Sequence, residues 1–170
     1  MEMLTRNLTY LSFAGALIVF DQLSKWLVRS SLSYGEEVVV TSFFSWVRWH
    51  NEGAAFSMLD GVGARWFFVA LAIGFSVFIL VELRRLPVHD RMMRLVFALI
   101  LGGALGNMID RLFLGYVVDF ALVHYAEVWY FPAFNVADSA LSIGATLWIG
   151  TMAFEYLRTR RDKHSTAASQ

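Results

Sequence analysis

The chain has 170 residues, of which 58% are hydrophobic and only 16% charged, with fourteen basic and fourteen acidic side chains. A soluble domain carries roughly 25% charged residues, so this composition leaves too little polar surface to cover a water-exposed fold. Zero net charge removes the electrostatic case for nucleic-acid binding, and the absence of cysteine removes disulfides and thiol nucleophiles.

The first uncharged apolar run is Leu8–Phe20, preceded by Arg6. It has the look of a secretory signal, yet Asp21-Gln22-Leu23-Ser24-Lys25 offers no small-x-small cleavage site, so a retained helix over about 8–29 is expected. Asp21 and Lys25 stand four apart on one helical face, where a structural ion pair is the expectation. Residues 30–64 read as an outer loop. Its Val38-Val39-Val40 and its alternating Phe44–Trp49 stretch have strand composition. Asn51 and Gly53 follow.

The second run, Trp66–Val81, predicts a helix over 65–84, and the loop Arg84–Arg91 turns at Pro87. The third run, Leu95–Ile109, predicts a helix over 92–113. Spacing of i, i+3 and i+4 puts Asn107, Asp110 and Arg111 on one face of its last turns. A second outer loop, 114–136, contains Tyr116–Phe120 and Val128–Phe131, again of strand composition. The fourth run, Ser139–Phe154, predicts a helix over 137–157, with a polar, frayed cytoplasmic tail at 158–170.

Each run falls short of the roughly 20 residues needed to span a bilayer, and snorkelling residues such as Arg65, Glu82, Arg94 and Arg158 extend them. With both termini in the cytoplasm, that side collects Arg6, Arg84, Arg85, Arg91, Arg94, Arg158, Arg160, Arg161 and Lys163, nine of the fourteen basic residues. The expected fold is therefore an all-α polytopic membrane protein in a single domain. It has four transmembrane helices and a small extracytoplasmic β-sheet in the outer loops. Trp26, Trp46, Trp49, Trp66 and Trp129 fall on the outer side, as an interfacial aromatic belt would.

The ionisable residues converge on that outer boundary. Asp138 or Asn135 can cap the fourth helix, Asp110 and Arg111 can form a terminal pair, and His50 and His124 read as hydrogen-bonded interfacial histidines. Asp119, between Val118 and Phe120, is costly unless partnered. If Asp21 pairs with Lys25 and Asp110 with Arg111, then Asp119 and Asp138 face each other without a cation and share a proton. Such a pair can hydrolyse an amide, one carboxylate activating water while the other polarises the carbonyl. Asn51, Asn107, Asn135 and Arg111 would hold the substrate backbone and oxyanion. No zinc-protease or serine-hydrolase motif appears, so no metal or cofactor is expected. Two other readings use the same residues: a small ion-coupled carrier with an Asp/Lys/Arg relay, and an assembly subunit using polar helix contacts.

Five blocks in order resemble the bacterial lipoprotein signal peptidase family (signal peptidase II). They are Asp21–Lys25, Asn51-Glu52-Gly53-Ala54-Ala55-Phe56-Ser57, Gly102–Arg111, Val117–Phe120 and Phe134–Ser139. Glu52 departs from the threonine usual there. The resemblance implies an inner-membrane aspartyl endopeptidase with Asp119 and Asp138 catalytic, and with Asn107, Arg111 and Asn135 around the substrate. Its substrate would be a prolipoprotein whose lipobox cysteine carries diacylglycerol, cleaved just before that cysteine. Membrane lipid would position the substrate, with the active site facing the periplasm.

Overall fold

Four long apolar stretches become four helices because backbone polar groups in hydrocarbon must be satisfied within the segment itself. They are α1 (Glu2–Ser31), α2 (Gly61–Arg85), α3 (Arg91–Phe113) and α4 (Val136–Ala167) in the computed structural model, which describes residues 2–53, 61–87, 89–125 and 128–167. The motif residues Ala54-Ala55-Phe56-Ser57, loop residue Val88 and the end of the tail lie outside the described residues, as do the side chains of Arg6 and Lys163. All four helices are long and apolar enough to cross a membrane. The 23 residues of α3 reach roughly 35 Å at 1.5 Å each, enough for a hydrocarbon core of about 30 Å.

The third helix is the axis of the bundle, with α1, α2 and α4 each packed on it. Glycines on α3 allow that approach: a Cβ at Gly103 would stand 2.5 Å from the Ala137 carbonyl oxygen. Ile79, Leu83, Val96, Phe97 and Leu101 close the core away from the sheet, while Phe20, Leu23, Phe67, Ile149 and Phe154 face outward as a lipid-solvated surface requires.

Two expectations are corrected at the far end of the bundle. Arg94 does not snorkel; it is fully buried. Its guanidinium donates to the carbonyls of Leu86 (2.9 Å) and Pro87 (3.1 Å) and to Asn7 Oδ1, satisfying orphan acceptors just past α2. The tail predicted to fray from residue 158 instead continues α4 to Ala167, through arginines that favour helix once it has begun.

The outer-loop strands form one antiparallel sheet in the order β1 (Glu37–Thr41), β2 (Phe44–Asn51), β3 (Val117–Tyr125), β4 (Trp129–Tyr130). The two stretches of strand composition in the first loop become β1 and β2, folded about Ser42 and Phe43. A bulge lets Trp46 through Trp49 oppose only Ala121 through Asp119. Contacts of α1 and α3 with β3 place the sheet on the end of the bundle where α1 and α3 finish and α2 and α4 begin. Buried His124 bonds Ser45 Oγ at 2.9 Å, and His50 stacks on Tyr116 at 3.6 Å.

Candidate active site

At the junction of helices and sheet, α1 contributes a buried cation. Lys25 Nζ lies 2.8 Å from Asp21 Oδ2 and 3.1 Å from Asp110 Oδ2, with all three side chains almost wholly buried. Asp21 Oδ1 accepts the Ala137 N–H (2.9 Å) and Asp110 Oδ2 accepts the Val118 N–H (3.0 Å). The cluster therefore ties α1, α3, α4 and β3 together. The expected Asp110–Arg111 pair does not form, because one ammonium serves two carboxylates. Adjacent helical residues diverge by about 100°, so Asp110 turns toward α1 while Arg111 turns the other way. The Arg111 guanidinium lies 4.6 Å over the Phe68 ring, and no carboxylate among the described residues is within ion-pair distance.

Gln22 was missed by the sequence reading. Its Nε2 donates to Asp110 Oδ1 (3.0 Å) and to the Gly106 carbonyl (3.1 Å). The signal was its place three residues before Lys25 on the same helical face.

The start of α4 carries the next group. Asn135 caps the helix through the Asp138 N–H (2.9 Å to Oδ1), and Asp138 Oδ2 answers by accepting the Asn135 N–H (3.2 Å). This reciprocal cap is a helix-start device, and here it also fixes a carboxylate beside a cavity. Asp138 Oδ1 further accepts from Asn107 Nδ2 at 2.7 Å.

Asp119 arrives from β3, just past the bulge. Its oxygens accept from Asn135 Nδ2 (2.8 Å) and Asn51 Nδ2 (3.0 Å). Asn51 is oriented by the Gly53 N–H, which donates to its Oδ1 at 2.9 Å. Gly53 has φ +87°, and a Cβ there would press within 2.6 Å of the Phe68 ring, so only glycine suits the position. Among the described residues, Asn135 is thus the side chain bonded to both Asp119, through its carboxylate, and Asp138, through its backbone N–H.

The electrostatics follow from that enclosure. Burial raises Asp119 from 3.8 to about 7, and the neighbouring charge of Asp138 pushes it the same way. The Asn51 and Asn135 hydrogen bonds and the more distant Lys25 oppose the rise without cancelling it. A cavity of about 550 Å³ opens between α2, α3 and α4, within the size range of ligand sites. Asn107, Arg111 and Asp138 line its polar end, and Phe68, Phe75 and Trp148 its apolar walls.

Residues 13–154 match the family model described as signal peptidase (SPase) II. The chain is 46% identical over 144 residues to the lipoprotein signal peptidase of Pseudomonas syringae pv. tomato, covering 83% of each. It is 45% identical over 158 residues to that of Pseudomonas aeruginosa UCBPP-PA14, covering 91% of each. With that of Acinetobacter baumannii ATCC 17978 it shares 44% over 163 residues, covering 95% of this chain and 91% of the relative. A solved bacterial membrane enzyme, obtained by the in meso method, superimposes with TM-score 0.77 at 30% identity, covering 87% of this chain and 89% of that one.

Proposed function

The chain belongs to the signal peptidase II family, and from that membership and the site geometry we infer that it is a bacterial membrane protease that cleaves signal peptides from prolipoproteins, with Asp119 and Asp138 as its catalytic pair. The observation that carries the catalytic assignment is that Asn135 joins both carboxylates, its side-chain Nδ2 donating to Asp119 and its backbone N–H to Asp138, which lines a largely apolar cavity. An ion-coupled carrier is not supported: the relatives are peptidases, and the buried charges gather at the sheet end of the bundle.

Hydrolysis divides between the two acids. The carboxylate form takes a proton from water, whose oxygen attacks the scissile carbonyl carbon. The protonated partner gives its proton to the carbonyl oxygen, forming a tetrahedral diol. Collapse breaks the C–N bond, with a proton passed to the leaving amine. Raised to about 7, Asp119 suits the proton-holding role near neutral pH. Arg111, on the cavity wall, is the cation positioned for the developing oxyanion. Asn51, Asn107 and Asn135 donate to the carboxylates and hold the pair in place, while Gly53 lets the Asn51 loop frame the substrate backbone.

The substrate in this reading is a prolipoprotein with a diacylglyceryl cysteine, cut just before that residue, and its acyl chains stay in membrane lipid. The enzyme sits in the inner membrane with both termini cytoplasmic and the sheet toward the periplasm, in keeping with the placement of nine of the fourteen basic residues. The test is cleavage of a lipid-modified precursor by purified Asp119→Asn and Asp138→Asn. Each is expected to lose at least about 10³-fold in kcat while remaining folded; substantial turnover by either folded variant rejects the assignment.

A further inference from the structure

Lys25 is an ammonium buried on α1, away from the substrate cavity, and the hydrolytic mechanism above gives it no step. Its third partner, besides Asp21 and Asp110, is the Asn107 side-chain oxygen at 2.9 Å. An ammonium has three donors and no acceptor, so the atom that Asn107 turns to it must be oxygen. The planar amide then has its NH₂ on the opposite side, where Asp138 Oδ1 receives it at 2.7 Å. The same logic fixes the other two amides of the site. Asn135 Oδ1 is held by the Asp138 N–H and Asn51 Oδ1 by the Gly53 N–H, so both point NH₂ at Asp119. Two of these three orienting donors belong to the backbone. Lys25 is the charged side-chain one, at 2.9 Å, with Asn135 Nδ2 a longer second donor to the same Asn107 oxygen at 3.3 Å.

We propose that Lys25 is a positioning residue for cleavage: its ammonium locks the Asn107 amide with the NH₂ on Asp138, biasing the shared proton of the pair onto Asp119. This rests on the catalytic assignment of Asp119 and Asp138. The charged groups around the pair are Lys25 and Asp21 from α1, Asp110 and Arg111 from α3, Asp119 from β3 and Asp138 from α4. Of these, Asp21 and Asp110 balance Lys25 without touching Asn107, so their role is to keep the buried ammonium in place. Without the lock, only the longer Asn135 Nδ2 contact, at 3.3 Å and from an NH₂ shared with Asp119, still holds the Asn107 oxygen, and the amide can turn that oxygen toward Asp138. An acceptor facing an acceptor there favours a proton on Asp138 and removes the base.

The experiment separates this lock from a merely structural ion cluster. In D21N/K25M/D110N all three charges go together, so no buried charge is left unpaired, but neither is any donor left at position 25. With folding checked by thermal melting, kcat on a lipid-modified precursor is expected to fall at least about a hundredfold, KM to change less than about threefold, and the pH profile to move, as when a preorganised donor is lost. K25R keeps a donor-only cation and is expected to retain the parent pH profile. N107D keeps the Lys25 contact and the shape of the site but presents oxygen to Asp138, and it is expected to lose kcat similarly. N107D keeps the proposal falsifiable even where the triple variant does not fold. Parent-like kcat and pH profile in folded D21N/K25M/D110N, or in N107D, overturns the proposal. If Asp138→Asn is inactive in the same assay, the catalytic assignment survives that failure; if Asp138→Asn cleaves, it is the assignment itself that has failed.

Discussion

Asp119 occupies a place where a carboxylate gains little by ionising. A group whose native value is raised holds its proton more tightly folded than unfolded. Its ionisation therefore costs stability as pH climbs from the ordinary carboxylate range through about 7. Asp119→Asn removes that cost, so its melting temperature relative to the parent is expected to rise by several degrees between pH 4.5 and pH 8. A constant difference across that range would contradict the raised value. The same titration predicts a kcat that declines as pH rises past about 7, where the proton-holding acid of the pair is lost. At this scale the sequence was informative about cost: an acid between Val118 and Phe120 has few unforced explanations. It was uninformative about partners. Whether Lys25 served Asp21, Asp110 or both depends on how α1 is rotated against α3, and spacing within one helix does not encode that rotation.

Among the elements, α3 sets the precision of the site because it touches the other three helices and carries Asn107, Asp110 and Arg111. Its close approach to α4 relies on Gly103. Gly103→Ala has no room for its methyl group and is expected to cost about 1–3 kcal/mol, read as earlier unfolding in mixed detergent micelles, with kcat falling as Asn107 shifts from Asp138. Unchanged stability would mean that the helices part more easily than their packing implies. Hydropathy located the middle of each helix but not its ends, since α1 and α4 continue through polar residues that carry no hydrophobic signal. Strand composition marked both outer loops correctly. The bulge between Trp46 and Trp49 depends on pairing with β3, a partner roughly 70 residues away, as in Trp46↔Ala121, and no local pattern reveals it.

For the whole molecule, the relevant asymmetry is that α2 and α4 both lean on α3 and leave a cavity between them, apolar along the helices and polar at the sheet. Exposed Trp26, Trp46, Trp49, Trp66 and Trp129 ring that end, where indole rings favour the membrane–water boundary. In the proposed reading, an amphiphile anchored by acyl chains would meet the carboxylates at a fixed depth, with the bilayer doing part of the positioning. A precursor lacking the diacylglyceryl group is accordingly expected to show kcat/KM reduced by at least about 10², chiefly through the loss of that positioning. Equal cleavage of both forms would remove lipid from the account.

The most direct measurement is a structure of the protein bound to a peptide mimic whose scissile amide is replaced by a tetrahedral carbinol. The account predicts the hydroxyl within about 3 Å of a carboxylate oxygen of Asp119 and of Asp138 together, as hydrogen-bond geometry requires. A hydroxyl seated against only one of them, or against neither, would contradict it.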